Sequence, residues 1–197
     1  MMKVAICLSG ISQKFEKGYY KLKDHFLNQY DCDIYIHTWD TPDIDFDKIL
    51  ELYQPKDYYF QLPIPFDDTD VKSKHSNTTL NDILSESYST HASFNLVRDS
   101  NIEYDLVVQL KFNVLEYSGV HDKFVVSDQN IAGIYADYFS FILYYTFMDK
   151  EYKEWVTETQ EEPFDYLNNQ NLLNYHLYKN ELLIEFPNEY SIPNIVR

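Results

Sequence analysis

Residues that could bind a small polar ligand stand directly after two predicted β-strands near the start of this 197-residue chain. Residues 4–8 form a continuous apolar run, which is typical of a strand covered on both faces. Residues 33–37 form the next predicted strand. A helical pattern lies between the two runs, so the three elements predict a βαβ unit with parallel strands. Because ligands of open α/β sheets bind outside the carboxyl ends of the strands, we expect five residues to lie at such a site: Ser9, Gly10, His37, Thr38 and Trp39.

The rest of the chain alternates between strand-like and helical patterns. Ser12 is the expected N-cap of the first helix, and further helices are predicted over residues 43–53, 80–98, 138–155 and 167–179. Strands are predicted over residues 57–62, 104–112, 130–136 and 182–186. Residues 63–80 combine two prolines with many polar residues and predict a long mobile loop. The pattern predicts one α/β domain over residues 1–197, with a mainly parallel central sheet flanked by helices.

The composition narrows the classes of partner and of compartment. The formal net charge is −16 and the pI is near 4.6, so phosphate backbones and anionic membrane surfaces would be repelled. We therefore expect no nucleic-acid partner, and no stretch of sequence is long and apolar enough to predict a membrane span. Cys7 and Cys32 are too few for a disulfide framework. Reduced thiols favour the cytoplasm, either of a bacterium or of a virus-infected host cell.

Single motifs do not identify a reaction. The sequence contains no GxSxG, P-loop, HExxH or GxGxxG pattern, and its six histidines lack the spacing of a metal site. The 19 tyrosines and 13 phenylalanines have two explanations, which are stacking against sugar rings or the filling of half-buried positions. Motifs alone therefore indicate an α/β domain and nothing sharper.

A set of short segments is more informative, because the segments occur in a particular order and at particular spacings. They are Leu8-Ser9-Gly10, Phe15-Glu16-Lys17-Gly18-Tyr19, residues 33–39, residues 52–56, Tyr88-Ser89, residues 104–108 and residues 137–141. Together they resemble a family of small glycosyltransferase-like proteins found in viruses and in bacterial surface-polysaccharide clusters. The resemblance covers residues 3 to about 177. It implies a compact form of the nucleotide-sugar-binding glycosyltransferase fold, similar to the GT-A fold.

The chain departs from the family pattern at positions that the resemblance marks as part of the site. Gln13 stands where the family has an arginine, and residues 109–113 read Gln-Leu-Lys-Phe-Asn in place of Arg-x-Arg-aromatic-Asp. Asn169-Gln170 stands where an acidic residue is expected, and Ile142 replaces a glycine. Each change removes charge or conformational freedom. Lys111 keeps one positive charge, but it lacks the bidentate geometry of arginine.

The resemblance implies transfer of a sugar from a nucleotide-sugar donor to a glycan or polysaccharide acceptor. It adds further expected substrate-binding residues to those at the first two strand ends: Gln13, Gln109 and Lys111. Lys14 is also expected to bind substrate, because its charge lies in the first helical turn, where a phosphate would also benefit from the helix N-terminus. Asp137 and Asn113 are the expected catalytic residues. The charge of the leaving diphosphate must be neutralised by a divalent cation or by basic side chains, so manganese or magnesium is an expected cofactor and a metal-independent site is the alternative. The ligands of the cation are not identified by the sequence.

Several of these residues have a plain structural alternative. Asp137 is a candidate N-cap of the helix that follows, and Lys14 has the alternative role of an ordinary solvated lysine. His37 has a structural alternative at a strand end, and Trp39 either stacks on a sugar or lies at the rim of the core. The alternative function is a catalytically impaired member of the fold that binds a glycan or nucleotide, or that serves as an assembly-interaction protein. The oligomeric state does not follow from the sequence.

Overall fold

The computed structural model describes residues 2–66, 71–73, 78–112, 124–159 and 166–182. Its strands are β1 (Lys3–Ser9), β2 (Asp31–Trp39), β3 (Asp57–Gln61), β4 (Leu106–Lys111) and β5 (Phe124–Ser127). Within the described residues, they form one five-stranded sheet in the order β3-β2-β1-β4-β5. The first four strands are parallel, and β5 is antiparallel to β4. The predicted mainly parallel α/β sheet is therefore confirmed.

Helices cover both faces of this sheet. They are α1 (Phe15–Leu22), α2 (Phe46–Tyr53), α3 (Leu80–Asp99), α4 (Gln129–Asp137), α5 (Ile142–Phe147), α6 (Lys150–Thr159) and α7 (Asn169–Lys179). A π-helical turn extends α1 over Lys23–Leu27, and a 3₁₀ turn over Tyr138–Phe141 joins α4 to α5. Alternate side chains of β1 point to opposite faces, so Ile6 and Leu8 pack with residues of α1 and α2, while Ala5 and Cys7 pack with α3 and α4.

The strand order creates a crevice at one edge of the sheet. From β1 the chain runs outward through β2 to β3, and α3 then carries it across the other face to β4, on the opposite side of β1. The connections leave β1 and β4 in opposite directions, which makes this pair the topological switch point of the sheet. Ser9 is paired with Lys111 at the carboxyl ends of the two strands. This edge is where the sequence predicted a ligand site.

A second apolar cluster brings the last helices to the same edge. Leu80, Ile83 and Leu84 of α3 pack with buried residues of α5, α6 and α7, including Tyr145 and Leu172. Glu86 in the second turn of α3 and Asn169 at the start of α7 line the same cavity. Among the described helices, none combines the length and the apolar composition needed to cross a bilayer.

Two sequence predictions are wrong. Residues 130–136 were expected to form a strand but belong to α4, because Asp128 caps that helix by accepting hydrogen bonds at 2.9 Å from the amides of Asn130 and Ile131. Ser12 does not cap α1. Lys14, with a φ of 55°, occupies the N-cap position, and Ser12 is buried and accepts a hydrogen bond from Thr38.

Other predictions fall wholly or partly outside the described residues. Residues 67–70 and 74–77 of the expected loop are outside, as are Asn113 and residues 183–186 of the last expected strand. At the base of that loop, Lys72 and Thr79 form an isolated antiparallel bridge.

The N-cap of α3 offers a test of how this helix is held. Thr79 accepts a hydrogen bond from the Asp82 amide, and Asp82 accepts one from the Thr79 amide, which together form a capping box. We expect Thr79→Ala to lower the free energy of unfolding by about 0.5–2 kcal/mol in urea titrations. Thr159→Ala, at the exposed end of α6, is the matched control and should change it by less than about 0.5 kcal/mol. Equal effects of the two changes would contradict the capping role.

Candidate functional site

A cavity of about 250 Å³ opens at the carboxyl ends of β1 and β4, and we call it the strand-end cavity. Residues of the sheet line one side of it: Ser9, Gly10, Trp39 and Lys111. The first two turns of α3 line the other side with Asp82, Ser85 and Glu86. The topology brings these residues together, because α3 begins at the strand ends and runs back along the sheet.

A second cavity of about 320 Å³ adjoins the first, and we call it the helix-side cavity. It shares Lys111 and Glu86 with the strand-end cavity. Its remaining wall includes Tyr135 of α4 and three consecutive carboxamides, Asn168, Asn169 and Gln170, at the start of α7. The two cavities therefore meet at one pair of charged residues.

Lys111 and Glu86 form a direct ion pair between Nζ and Oε1. Their side chains are only 13% and 30% exposed, so solvent screens the pair less than it would screen a surface pair. The two charges cancel locally. These two residues therefore add no net charge at the junction of the cavities, although the whole chain has a net charge of −16.

Hydrogen bonds beneath the strand-end cavity fix its floor. The Ser89 hydroxyl of α3 accepts a hydrogen bond from the Gly10 amide at 2.7 Å and lies 2.7 Å from His37 Nδ1. His37 Nε2 lies 3.4 Å from the side-chain oxygen Oε1 of Gln61. Because that oxygen can only accept a hydrogen bond, Nε2 carries the proton of the imidazole, and Nδ1 accepts a hydrogen bond from the Ser89 hydroxyl. Gly10 has a φ of 90°, a left-handed conformation that side chains strongly disfavour.

His37 is enclosed by aromatic rings. Its ring lies 5.1 Å from Trp39, 5.7 Å from Tyr59 and 5.6 Å from Tyr88, measured between centroids. Burial lowers the pKa of His37 to about 4, so the imidazole is neutral near pH 7. The residue is fully buried, and its structural role is to hold Ser89 and, through it, Gly10.

Of the substrate-binding residues predicted at strand ends, Ser9, Gly10, Trp39 and Lys111 line the strand-end cavity. Trp39 is only 4% exposed and stacks on Tyr88 at 5.7 Å, so it lies at the rim of the core rather than forming an open stacking platform.

The structure places the other predicted residues elsewhere. His37 and Thr38 are buried in internal hydrogen bonds, and Gln109 faces α4, where its amide donates to the Ala132 carbonyl oxygen. Gln13 and Lys14 are exposed just before α1 and are not among the residues that line the two cavities.

Asp137, the expected acidic catalytic residue, lies at the end of α4. Its carboxylate is 58% exposed and is 3.6 Å from His91 Nδ1, and it lines neither cavity. Asp137 occupies the N-cap position of the following 3₁₀ turn, as the structural alternative expected, but its side chain makes no capping hydrogen bond. Asn113, the other expected catalytic residue, lies outside the described residues.

Sequence reasoning missed Asp82, Ser85 and Glu86 of α3, whereas the resemblance had marked Asn169-Gln170 of α7 as site positions. The positions of α3 that face the site are polar and three or four residues apart: Asp82, Ser85, Glu86 and Ser89. A polar stripe with this spacing on a helix that also carries an apolar stripe could have indicated a site-facing surface. The resemblance marked Asn169-Gln170 as part of the site, but nothing in the sequence places these carboxamides beside residue 111.

Comparisons with protein-family models, curated proteins and solved structures gave no match, so the site is interpreted from its own geometry. Among the described residues, no three His, Cys, Asp or Glu side chains are grouped to hold a metal ion. The two cavity-lining carboxylates are already engaged: Asp82 in the capping box and Glu86 with Lys111. The expected divalent cation therefore stays a prediction.

Burial of His37 makes stability depend on pH. The unfolded chain binds a proton at His37 near its ordinary pKa of 6.5, whereas the folded chain binds it only near 4, so stability falls as the pH drops between these values. We expect this residue alone to cost about 2–3 kcal/mol between pH 7.5 and pH 4.5. Burial also lowers the pKa of His176, which adds in the same direction.

The contribution of His37 is isolated by measuring the free energy of unfolding in urea at the two pH values, for the wild type and for His37→Asn, and comparing their changes with pH. The variant should lose this part of the pH dependence, while the exposed His25→Asn should retain it. An unchanged pH dependence in His37→Asn would contradict the buried neutral imidazole.

Proposed function

We propose that the protein is a glycosyltransferase-like enzyme that binds a nucleotide sugar in the strand-end cavity and transfers its sugar to a glycan or polysaccharide acceptor. The observation that supports this proposal is the position of the cavity. It lies at the switch point between β1 and β4, where open α/β sheets bind their ligands, and it is lined by Gly10 and Lys111.

Each lining residue has a role in this proposal. Gly10 has no Cβ, and no atom lies within 4 Å of where one would be, so a phosphate can approach the backbone closely. Lys111 supplies a positive charge for the diphosphate. Ser9 and Ser85 offer hydroxyls that can donate or accept hydrogen bonds from the donor sugar.

Glu86 is the carboxylate best placed for the chemical step. In the proposed reaction, an acceptor hydroxyl oxygen attacks the anomeric carbon of the donor, and the bond from that carbon to the diphosphate breaks. The diphosphate leaves with the electron pair, and the hydroxyl proton passes to the Glu86 carboxylate. When the diphosphate engages Lys111, the Glu86 carboxylate is released to accept that proton.

A divalent cation would add a second positive charge at the leaving diphosphate. Magnesium sites commonly use one or two protein carboxylates together with substrate phosphates, and the carboxylates at hand are those of Asp82 and Glu86. The roles proposed for Lys111 and Glu86 do not depend on this ion.

The alternative function, an assembly-interaction protein, is favoured by the outer face of α5. One side of this helix carries Leu143, Tyr144 and Phe147, and Met148 follows at its C-cap. Each of these side chains is about half exposed or more. The opposite side, with Ile142 and Tyr145, is buried in the core. A helix that is apolar on both sides is typical of a buried element. A partner that covers this face would explain the pattern without catalysis.

Nucleotide sugars provide the first test. We expect at least one of the UDP, GDP or CDP sugars to raise the thermal midpoint of unfolding, with or without manganese, and to be hydrolysed or transferred on long incubation. Stabilisation without turnover would favour the catalytically impaired alternative. If no nucleotide sugar shifts the midpoint, the proposed function is wrong and the α5 face becomes the leading candidate.

Substitution of Lys111 tests the role of its charge. Lys111→Gln should weaken binding of the stabilising nucleotide sugar by about tenfold or more, because a charge-assisted hydrogen bond to phosphate is lost. The matched control is Lys153→Gln on the exposed surface of α6, which should leave the affinity unchanged. Isothermal titration of both folded variants measures the difference. Equal affinities would show that Lys111 does not contact the diphosphate.

A further inference from the structure

The carboxamide wall of the helix-side cavity has a defined hydrogen-bonding pattern. Asn168 Oδ1 accepts a hydrogen bond from the Asn171 amide at 3.1 Å, and Asn169 Oδ1 accepts one from the Tyr138 hydroxyl at 2.9 Å. Gln170 Nε2 donates to Asn174 at 2.7 Å. Each side chain therefore uses one of its two polar atoms inside the protein, and this contact fixes the orientation of its amide group.

The second polar atom of each amide is the one that a ligand can use. Within the part of the chain that the structure describes, these atoms are the two NH₂ groups of Asn168 and Asn169, which donate, and the oxygen of Gln170, which accepts. A ligand that satisfies all three must both donate and accept hydrogen bonds. Hydroxyl groups do both, whereas an ionised phosphate or carboxylate only accepts.

The charges around the cavity select against an anion. Among the described residues, the ionised groups that line it are Lys111 and Glu86, and they neutralise each other in their ion pair. An anionic ligand would approach the Glu86 carboxylate on a chain with a net charge of −16. A neutral ligand meets no such repulsion. Leu167, Leu173 and Tyr135 add apolar surface for the C–H face of a ring.

We infer that the helix-side cavity binds a neutral saccharide through the carboxamides of Asn168, Asn169 and Gln170. The volume of about 320 Å³ is within the usual range of small-ligand pockets, which is about 300–1,000 Å³. The proposed function is needed only to identify this saccharide as the acceptor. In that case, its hydroxyl lies beside Glu86, the residue shared with the donor cavity.

Ligand-observed saturation-transfer NMR on the full 197-residue protein tests binding directly. The probes are lactose, maltose, cellobiose and diacetylchitobiose, with sialyllactose as the anionic counterpart of lactose. We expect at least one neutral disaccharide to bind and sialyllactose to bind more weakly than lactose. Gln170→Ala should weaken the binding of the neutral disaccharide about fivefold, because one hydrogen bond is lost. The exposed Gln29→Ala is the matched control and should leave it unchanged.

A second variant tests the charge selection. Glu86→Gln removes the negative charge from the Lys111–Glu86 pair and makes the cavity wall more positive, so sialyllactose should gain affinity relative to lactose. Substitution of a residue that only supports the fold would not change the relative affinity of the two saccharides.

Three results would overturn the inference: no neutral disaccharide binds, Gln170→Ala binds as tightly as wild type, or wild type prefers sialyllactose. The first of these together with a nucleotide-sugar thermal shift leaves the proposed function standing. If a neutral disaccharide binds but no nucleotide sugar raises the thermal midpoint of unfolding, the proposed function is wrong and this inference still holds.

Discussion

The Ser89 hydroxyl is the hydrogen-bonding group on which the geometry of the strand ends depends. It joins the backbone of Gly10 on β1's carboxyl end, the imidazole of His37 on β2, and α3 itself. A buried polar group that loses its partner costs about 1–3 kcal/mol, so α3 cannot slide along the sheet without leaving several groups unsatisfied. Because Ser85 and Glu86 precede Ser89 by one helical turn, they are directed to the same side. The contact that anchors α3 thus also sets Glu86 opposite Lys111.

The two halves of α3 perform different tasks. Its second half packs Phe94 and Val97 on the small side chains Ala5 and Cys7, which allow the helix to approach the sheet closely. Its first half carries hydroxyl and carboxylate groups toward the strand ends. Apolar burial in both halves, including Leu80, Ile83 and Leu84 of the first, supplies the stability that offsets the burial of polar side chains. The site is therefore held by a rigid helix rather than by loops alone.

Periodicity predicted most of the sheet, because its signals are local. The continuous apolar run of β1 and the pattern of α3 depend on neighbours within a few residues, and both elements appear where expected. The prediction of a strand over residues 130–136 was wrong because a short apolar run fits either a strand or a helix. The deciding feature is the cap at Asp128, which lies just before the run. Ser12 failed because its hydroxyl bonds across to Thr38, a contact that local spacing does not reveal.

The candidate site was predicted more fully on the sheet side than on the helix side, where the resemblance marked Asn169-Gln170 but not Glu86. Residues at strand ends follow from topology, so Ser9, Gly10 and Lys111 could be named from the sequence. Glu86 and Gln170 come to Lys111 only through the packing of α3 and α7, which no local pattern specifies.

The Lys111–Glu86 pair also makes the two cavities physically dependent on each other. Separating the two ions of a partly buried pair is costly unless each charge is compensated again. A ligand that replaces Glu86 beside Lys111 must therefore carry a negative charge of its own. The freed Glu86 carboxylate then requires a donor, and the helix-side cavity is the space from which a hydroxyl can provide one. An anion on one side and a hydroxyl on the other therefore satisfy both ions at once. This complementarity, imposed by a single ion pair, is the physical basis on which we propose two different ligand chemistries for the adjoining cavities.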